Sequence, residues 1–322
     1  MKTKWVAEIG SNHNGSLLRA VRLIDAAAKA GFASVKTQHF RVKELFEGEA
    51  LKRNPKLRER ERYEIPNDWH ETLRDRAHEH GMAYGITPLY FDALSDVGAF
   101  TDWWKVSSYQ LTCLPLLRRV AASGKPIVVS TGMATMEECL AARSALMGTG
   151  KMVDLTFLHC VSRYPALPST CNLKAIDSMQ KQICWPIGWS DHTVEPEVVK
   201  RAIWRWRARM VEMHFDLEDG RGAETEHSWL PQQAADVIEE ASEEIPQDLD
   251  WRCPELDGDG TKQPTAEEAH ERLWRSDSLD GLRPTKEMQE IWRQATTSSS
   301  TSQVSWGGQW DLGSSQDQTS KP

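Results

Sequence analysis

One pattern of hydrophobic and polar positions repeats along the chain from residue 4 to about residue 243. A short apolar run rich in β-forming residues is followed by a polar turn, and then by a stretch with helical spacing. Continuous apolar runs are typical of parallel strands that are buried on both faces. The pattern predicts eight strands, near residues 5–9, 34–38, 83–87, 103–107, 127–131, 155–160, 184–189 and 210–215.

Helical spacing separates these strands. Over residues 17–30 apolar positions recur on one face, and Gly31 is a suitable C-terminal stop for that helix. The same reasoning predicts helices over residues 115–122, 135–146, 197–208 and 230–241. Eight strand–helix units within about 240 residues match the size of a (β/α)8 barrel, which is roughly 250 residues.

We therefore predict an α/β fold, a (β/α)8 TIM barrel over residues 1–245. The alternative is a doubly wound open sheet, which would normally carry a glycine-rich phosphate turn after its first strand. The turn here reads GSNHNG at residues 10–15, with polar side chains where that motif has glycines. The barrel is therefore the favoured architecture.

The composition changes after the repeat ends. Residues 246–264 are rich in Pro, Asp and Gly, which is typical of a linker or surface loop. A helix is predicted over residues 265–275, with Thr265 and Glu268 in a capping-box pattern. We thus assign 246–294 to a linker and a short C-terminal helical extension. Residues 295–322 are dominated by Ser, Thr, Gln and Gly, and we expect a disordered tail because they cannot bury enough apolar surface.

Composition and charge narrow the class of protein. The chain is 39% hydrophobic and 27% charged, with a formal net charge of −8, and no basic patch suggests a nucleic-acid or membrane partner. Its six cysteines form no CxxC pair, which favours free thiols in a reducing compartment. The N-terminus lacks the apolar run of a signal peptide. We expect a cytoplasmic location.

Polar residues cluster where the predicted strands end, which is where (β/α)8 enzymes carry their chemistry. Burying so many polar groups without partners would be costly, so their shared position predicts a binding site. In strand order they are Glu8, Asn12 and His13; Lys36 and Gln38; Thr87; Lys105, Ser107 and Gln110; Ser130 and Thr131; His159, Ser162 and Tyr164; Ser190, Asp191 and His192; Glu212 and His214.

Two lysines lie inside apolar strands and therefore require anionic partners. Lys36 and Lys105 could form structural salt bridges with a neighbouring carboxylate such as Glu8. They could instead bind an anionic substrate, with hydroxyl donors completing the site. The candidate hydroxyls are those of Thr87, Ser107, Ser162 and Ser190.

Two histidines follow adjacent strands of the predicted barrel. His192 and His214 could be satisfied core residues, or their neutral imidazoles could hold one divalent metal ion that acts as a Lewis acid. Two protein ligands would leave coordination positions open for water and a substrate oxygen. The residues alone leave both interpretations open.

A series of motifs resembles the N-acetylneuraminate (sialic acid) synthase family. The motifs are AEIGSNHNGS at 7–16, SVKTQHF at 34–40, ITPLY at 86–90, KVSS at 105–108, SGKPIVVSTGMATMEE at 123–138, LHCVSRYP at 158–165, PIGWSDHT at 186–193 and VEMHF at 211–215. Their order and spacing agree with that family through residues 4–243, and the segments at 124–134 and 188–193 are specific.

The resemblance implies a metal-dependent condensation of phosphoenolpyruvate with N-acetylmannosamine or a related aldose, releasing phosphate by C–O cleavage. It implies that His192 and His214 bind Mn²⁺ or Mg²⁺. It also implies that phosphoenolpyruvate is held by Lys36, Thr87, Lys105, Ser107, Ser162 and Ser190, and that the sugar is met by Glu8, Tyr164 and Glu224. We take Glu8, Lys36 and Lys105 as the catalytic candidates, and Gln110 as a further substrate-binding candidate.

Three departures from the family pattern stand out. Gln110 occupies the place of a usual acid and cannot transfer a proton, so Glu8 would serve instead or activity would be reduced. Glu224 stands where the family usually has an aspartate. The family also carries a C-terminal antifreeze-like domain that covers the partner's site, whereas this chain has only the 246–294 segment; a homodimer would not take that swapped form.

Two other functions are compatible with these residues. A Schiff-base aldolase could use Lys36 or Lys105 as its amine, although the histidine pair would then have no role. A non-catalytic relative could bind the sugar or phosphoenolpyruvate without turnover, an interpretation that Gln110 and the missing domain favour.

Overall fold

A computed structural model describes residues 3–243, 245 and 253–297. Eight parallel strands follow one another in chain order around a closed barrel, and β1 pairs with β8 so that Glu8 lies opposite His214. The predicted (β/α)8 fold is confirmed. The strands are β1 Lys4–Glu8, β2 Ser34–His39, β3 Ala83–Pro88, β4 Trp103–Val106, β5 Ile127–Ser130, β6 Leu155–His159, β7 Ile187–Asp191 and β8 Met210–His214.

Helices surround the barrel and continue into the C-terminal segment. They are α1 Leu17–Lys29, α2 Val42–Leu45, α3 Gly48–Arg53, α4 Trp69–Glu79, α5 Ala93–Val97, α6 Leu114–Ala122, α7 Met136–Met147, α8 Ala175–Ile183, α9 Pro196–Trp204, α10 Pro231–Ser242, α11 Pro254–Asp257, α12 Ala269–Leu273 and α13 Lys286–Thr297. Short 3₁₀ helices lie at Pro55–Tyr63, Ser108–Gln110, Pro168–Thr170 and Thr225–His227.

Several predicted boundaries differ from the structure: the helix predicted over 197–208 ends at Trp204, and the helix predicted over 265–275 is found only as Ala269–Leu273. The seventh strand was expected at 184–189, but Cys184 has a left-handed φ of 59° and ends α8, so the strand begins only after Pro186. Pro186 has no N–H to donate to a strand ladder. The last helix reaches Thr297, so residues 295–297 of the predicted disordered tail are helical, while 298–322 lie outside the described residues. Residues 246–252 of the predicted linker also lie outside them.

The barrel interior changes character along the strands. Side chains of Val6, Trp103, Val128, Leu158 and Met210 form an apolar cluster towards the amino ends. Because inward positions recur every second residue, the next inward positions on four of these strands fall two residues later. Those positions are the polar residues Glu8, Lys105, Ser130 and Glu212. A polar layer therefore lies above an apolar floor.

The C-terminal segment, residues 253–297, packs back on the barrel through its own apolar cluster. Trp274, Met288 and Trp292 are buried with Phe40 and Phe46, which follow β2. Met288 and Trp292 are four residues apart on α13 and so share one helical face. The segment thereby covers part of the carboxyl-end face of the barrel.

Two further sequence expectations can be compared with the described residues. The six cysteines are all free thiols. Within the described ranges, no helix has both the length and the apolar character that a membrane crossing requires.

Candidate active site

A narrow pocket opens at the carboxyl ends of the strands, directly above the apolar floor. Residues of seven strands, of the loops that follow them and of the C-terminal segment line it. They are Glu8, Lys36, Gln38, Arg60, Thr87, Leu89, Lys105, Ser107, Ser108, Tyr109, Ser130, Tyr164, Ser190, His192, Glu212, His214 and Arg283. The lining thus carries four lysine or arginine side chains and two carboxylates. Its surplus of positive charge suits an anionic ligand.

Each buried lysine contacts a carboxylate and a hydroxyl. Lys36 pairs with Glu8, and its Nζ lies 3.2 Å from Thr87 Oγ1. Lys105 Nζ lies 3.4 Å from Glu212 and donates to Ser130 Oγ at 2.6 Å. The salt bridges expected in the structural interpretation are therefore present. Both amines nevertheless line the pocket, so the anion-binding interpretation is compatible with the same geometry.

Burial and neighbouring charges shape the ionisation of this layer. Burial is the largest cause that lowers the pKa of Lys36, the charge of Lys105 adds to it, and Glu212 and Glu224 oppose it, so that the pKa is about 7. Burial disfavours the charge of Glu212, but Lys105 and Lys36 outweigh that effect and hold its pKa below the ordinary value. The amine of Lys36 is thus poised to change charge near neutral pH.

His192 and His214 face each other with ring centroids 5.5 Å apart. The Nδ1 of His192 lies 2.6 Å from the Val161 carbonyl, and the Nδ1 of His214 lies 2.9 Å from Glu224 Oε2. Both partners are acceptors, so each Nδ1 carries a proton, and in the neutral form of each ring Nε2 keeps its lone pair. Burial lowers the pKa of His192 well below the ordinary value, which favours the neutral form that binds metals.

A second group of possible ligands lies beside this pair. Atoms of His214, Glu224 and His227 come within 4.8 Å of one another. The Nε2 of His227 and the Oε2 of Glu212 are buried and have no hydrogen-bond partner among the described residues. Such donor atoms fit a divalent cation. Of these residues, His192 and His214 line the pocket, whereas Glu224 and His227 do not.

Tyr164 packs against the histidine group. Its ring centroid is 4.2 Å from that of His192, 5.0 Å from that of His227 and 5.9 Å from that of His214. Burial raises the pKa of its phenol well above the ordinary value, so the group is a neutral hydrogen-bond donor. Tyr164 can therefore fix the position of the imidazoles and offer its hydroxyl to a ligand in the pocket.

Of the twelve predicted site residues, nine line the pocket and three do not. Gln110 donates to the Pro88 carbonyl at 2.6 Å and accepts from the Ser107 backbone, so its amide is occupied by the loop. Ser162 Oγ lies against Gly132 and has no hydrogen-bond partner among the described residues. Glu224 lies behind His214 and orients its ring.

Several lining residues had no predicted role. Ser130 and Glu212 stand on the strands and belong to the predicted cluster of polar strand-end residues, although no role was assigned to them. Arg60, Tyr109 and Arg283 come from a 3₁₀ helix or from the C-terminal segment. No local sequence signal marks them, because the tertiary fold alone brings those segments to the pocket.

A larger cavity, of about 830 Å³, lies at the amino ends of the strands. It is lined by Lys4, Trp185, Trp206, Arg209 and other residues around β6, β7 and β8. Chemistry in (β/α)8 barrels occurs at the opposite end. The carboxyl-end pocket is therefore the candidate active site.

Known proteins with similar sequences and structures belong to the family that the sequence motifs resemble. A model of the NeuB family matches residues 23–246. The N,N'-diacetyllegionaminic acid synthase of Campylobacter jejuni is 33% identical over 231 residues, which are 67% of this chain and 68% of that protein. The N-acetylneuraminate-9-phosphate synthase of Drosophila melanogaster is 30% identical over 71% of this chain and 64% of its own length.

The chain thus spans about two thirds of the length of these curated relatives. Among solved structures, an N-acetylneuraminic acid synthetase from Leptospira borgpetersenii, in complex with citrate, superposes with a TM-score of 0.70 at 26% identity. The superposition covers 84% of this chain and 90% of that one. The resemblance drawn from the motifs is confirmed, and the chain belongs to the NeuB family.

Proposed function

We propose that the protein condenses phosphoenolpyruvate with N-acetylmannosamine or a related aldose, giving a 2-keto-3-deoxy (nonulosonic) sugar acid and phosphate. Family membership and the named activities of the similar synthases support a reaction of this class. The single observation that carries the proposal is the shared pocket. Two buried lysines and two imidazoles with available Nε2 atoms line the same small space.

The lysine side of the pocket suits phosphoenolpyruvate, which carries a carboxylate and a phosphate. Lys36 with Thr87 and Lys105 with Ser130 offer two amine–hydroxyl pairs to those oxygens. Ser107 and Ser190 add hydroxyls on the same lining. When both amines are charged, Glu8 and Glu212 balance them in the free protein, and the bound anion would take over part of that role.

The histidine side suits a divalent metal ion such as Mn²⁺ or Mg²⁺. His192 and His214 would hold it through Nε2, with Val161 and Glu224 fixing the ring orientations from Nδ1. When bound, such an ion would polarise the aldehyde oxygen of the acceptor. Tyr164, packed on both rings, would position the sugar against them.

The proposed reaction joins two carbon atoms and releases inorganic phosphate. C3 of phosphoenolpyruvate forms a bond to the aldehyde carbon, whose oxygen takes up a proton and becomes a hydroxyl, and a water molecule gives up a proton as its oxygen adds to C2. The bond between C2 and the phosphate oxygen then breaks, leaving the keto group and inorganic phosphate. Glu8 lies at the end of β1 against Lys36 and is the carboxylate we assign to proton transfer, because Gln110 cannot serve. Lys36 and Lys105 hold the phosphate as it leaves.

One observation favours a second candidate, a Schiff-base aldolase. Burial lowers the pKa of Lys36 to about 7, and a neutral amine is the nucleophile that such enzymes need. Borohydride would then trap a covalent adduct on Lys36, and phosphate would not be released. The hydroxyls around the lysines and the oriented histidines have no role in that chemistry, so the synthase remains the favoured function.

The decisive experiment mixes purified protein with phosphoenolpyruvate, Mn²⁺ and a panel of aldoses, and measures phosphate release with and without a chelator. We expect release that requires both an aldose and the metal. His214→Ala should reduce turnover by at least about 100-fold, since loss of even an outer-shell partner of a metal typically costs about 10–100-fold. His78→Ala, on the outer helix α4, is the matched control.

Phosphate release that survives the chelator, or that is unchanged in His214→Ala, would remove the metal site from the proposal. Absence of release with every aldose, together with an adduct trapped by borohydride, would replace the synthase with the aldolase.

A further inference from the structure

The cavity at the amino ends of the strands has no part in the proposed reaction. Its volume of about 830 Å³ lies in the range of about 300–1,000 Å³ that is typical of sites for small molecules. Its wall comes from the turns that lead into β7 and β8, from the starts of β1 and β6, and from α8. None of its residues lines the carboxyl-end pocket. Its charge and its aromatic side chains therefore need a separate explanation.

Basic side chains predominate in the wall of this cavity. One comes from β1 and three come from the turn between α9 and β8; they are Lys4, Arg205, Arg207 and Arg209. The lining carboxylates are those of Asp154 and Asp177, and Asp177 already pairs with Lys181 at 2.6 Å. The cavity thus carries a local surplus of positive charge in a chain whose formal net charge is −8. Such a surplus attracts an anionic ligand.

Backbone hydrogen bonds hold the basic residues next to one another. The Lys4 N–H donates to the Arg209 carbonyl at 3.1 Å, and the Arg209 N–H donates to the Ile187 carbonyl at 2.9 Å. Arg209 therefore lies between the first residues of β1 and β7. Arg207 has a left-handed φ of 61°, and its N–H donates to the Ile203 carbonyl at 3.1 Å. The backbone that carries both guanidinium groups is thus fixed by the fold.

These cations differ from the lysines of the carboxyl-end pocket in their partners. Lys36 and Lys105 are buried, and each contacts a carboxylate. Lys4, Arg207 and Arg209 are exposed, and their side chains form neither a hydrogen bond nor an ion pair with any residue that the structure describes. Their donor groups are therefore available to an anion without the loss of an existing salt bridge.

Two half-buried tryptophans line the same cavity. The Nε1 of Trp206 donates to Asp257 Oδ1 at 2.7 Å, and Asp257 also pairs with Arg201, so the indole plane is held. The guanidinium of Arg205 stacks 4.7 Å from the ring centre of Trp206. Trp185, in the turn before β7, packs partly against the barrel core. The cavity thus combines indole surface, on which a planar base can stack, with guanidinium groups.

We propose that this cavity binds a nucleoside triphosphate, with Arg207 and Arg209 on the phosphates and Trp185 against the base. The guanidinium fork matches phosphate oxygens two at a time, which suits a chain of phosphates. Single-stranded nucleic acid offers the same chemistry, but a long polyanion would extend beyond the cavity over a chain of net charge −8. The charge balance therefore favours a free nucleotide.

Calorimetric titration of the full chain with ATP, inorganic triphosphate and adenosine, each without a divalent metal, tests the site. We expect ATP to bind at least about 10-fold more tightly than either of its parts. Arg207→Ala and Arg209→Ala should each weaken ATP binding by about 10-fold, a usual loss for one charge-assisted hydrogen bond. Arg118→Ala, at an exposed arginine of α6 outside the cavity, is the matched control and should leave the affinity unchanged.

The role of the base is tested at Trp185. Trp185→Ala should weaken ATP binding by about 10-fold and leave the binding of inorganic triphosphate unchanged, because only ATP has a ring to stack. Trp185→Phe keeps an aromatic surface and should retain most of the affinity for ATP. It replaces Trp185→Ala if that variant does not fold, and a loss of triphosphate binding in the folded Trp185→Phe protein would contradict the assigned role.

Four results would overturn the proposal. The first is an absence of ATP binding, and the second is an affinity for ATP no greater than that for inorganic triphosphate. The third is binding that both arginine variants retain and that Lys105→Met abolishes, which would place the nucleotide in the carboxyl-end pocket. The fourth is tighter binding of a single-stranded oligonucleotide than of ATP. Saturating phosphoenolpyruvate should leave ATP binding unchanged, so the test is independent of the proposed function.

Discussion

Lys36 has a pKa near neutral, so a bound ligand can change its charge. Its pKa of about 7 follows from burial, so at pH 8 most of the free protein carries a neutral amine there. An incoming anion favours the charged form and raises the pKa. We therefore predict that binding of phosphoenolpyruvate to the metal-free protein at pH 8 takes up close to one proton from the buffer.

Titration calorimetry in buffers of different ionisation enthalpy measures that proton uptake. Lys36→Arg is the matched control, because a guanidinium stays charged and has no proton to gain. Comparing the two proteins at one pH cancels the ionisation of the ligand itself. Equal uptake in both would show that Lys36 is already charged in the free protein and that its contact with Glu8 dominates over burial.

At the scale of elements, one carboxylate joins three parts of the carboxyl-end face. Glu268 is 2% exposed, and its Oε1 accepts from the backbone N–H groups of Met133 at 2.8 Å and Ser162 at 2.7 Å. Its Oε2 accepts from Thr265 N–H in the predicted capping box. The loops after β5 and β6 are thereby tied to the C-terminal segment just before α12.

We predict that Glu268→Ala lowers the free energy of unfolding by about 2–4 kcal/mol, because it leaves buried N–H groups without acceptors. Urea titration followed by circular dichroism measures the loss. Glu267→Ala is the matched control, since Glu267 is the exposed neighbour and its pair with Arg163 is 3.6 Å long. A similar loss of unfolding free energy in the two variants would contradict a stabilising role for the hydrogen bonds of Glu268.

The strand-derived half of the site could be predicted from the sequence, and the remainder could not. Lys36 and His192 could be predicted because a parallel barrel places the carboxyl ends of all its strands on one face. The position of a residue along its strand therefore decides whether it lies near the site. Arg60 and Arg283 lie in segments without regular periodicity. Their arrival at the pocket depends on how a 3₁₀ helix and the C-terminal segment pack, which no local spacing encodes. Gln110 shows the converse, since its place at a strand end did not bring its amide to the pocket.

For the whole molecule, the apolar cluster under the C-terminal segment determines whether the pocket is complete. Trp292 is 2% exposed, its ring centroid is 6.1 Å from that of Trp274, and both pack with Phe40 and Phe46. Arg283 lies in the chain between these two tryptophans. The wall of the pocket is therefore coupled to a core that is separate from the barrel's own.

We predict that Trp292→Ala destabilises this second core by about 3–5 kcal/mol, the usual cost of truncating a buried Trp. Because the barrel retains its own core, the loss should appear locally, as faster hydrogen exchange of the amides of Arg283 and Glu47 while the β1–β8 amides stay protected. Ile291→Ala, at a position 38% exposed on the same helix, should leave those rates nearly unchanged. Equal acceleration at barrel and C-terminal amides would mean that the two cores unfold as one unit, and the wall of the pocket could then not open without loss of the whole fold.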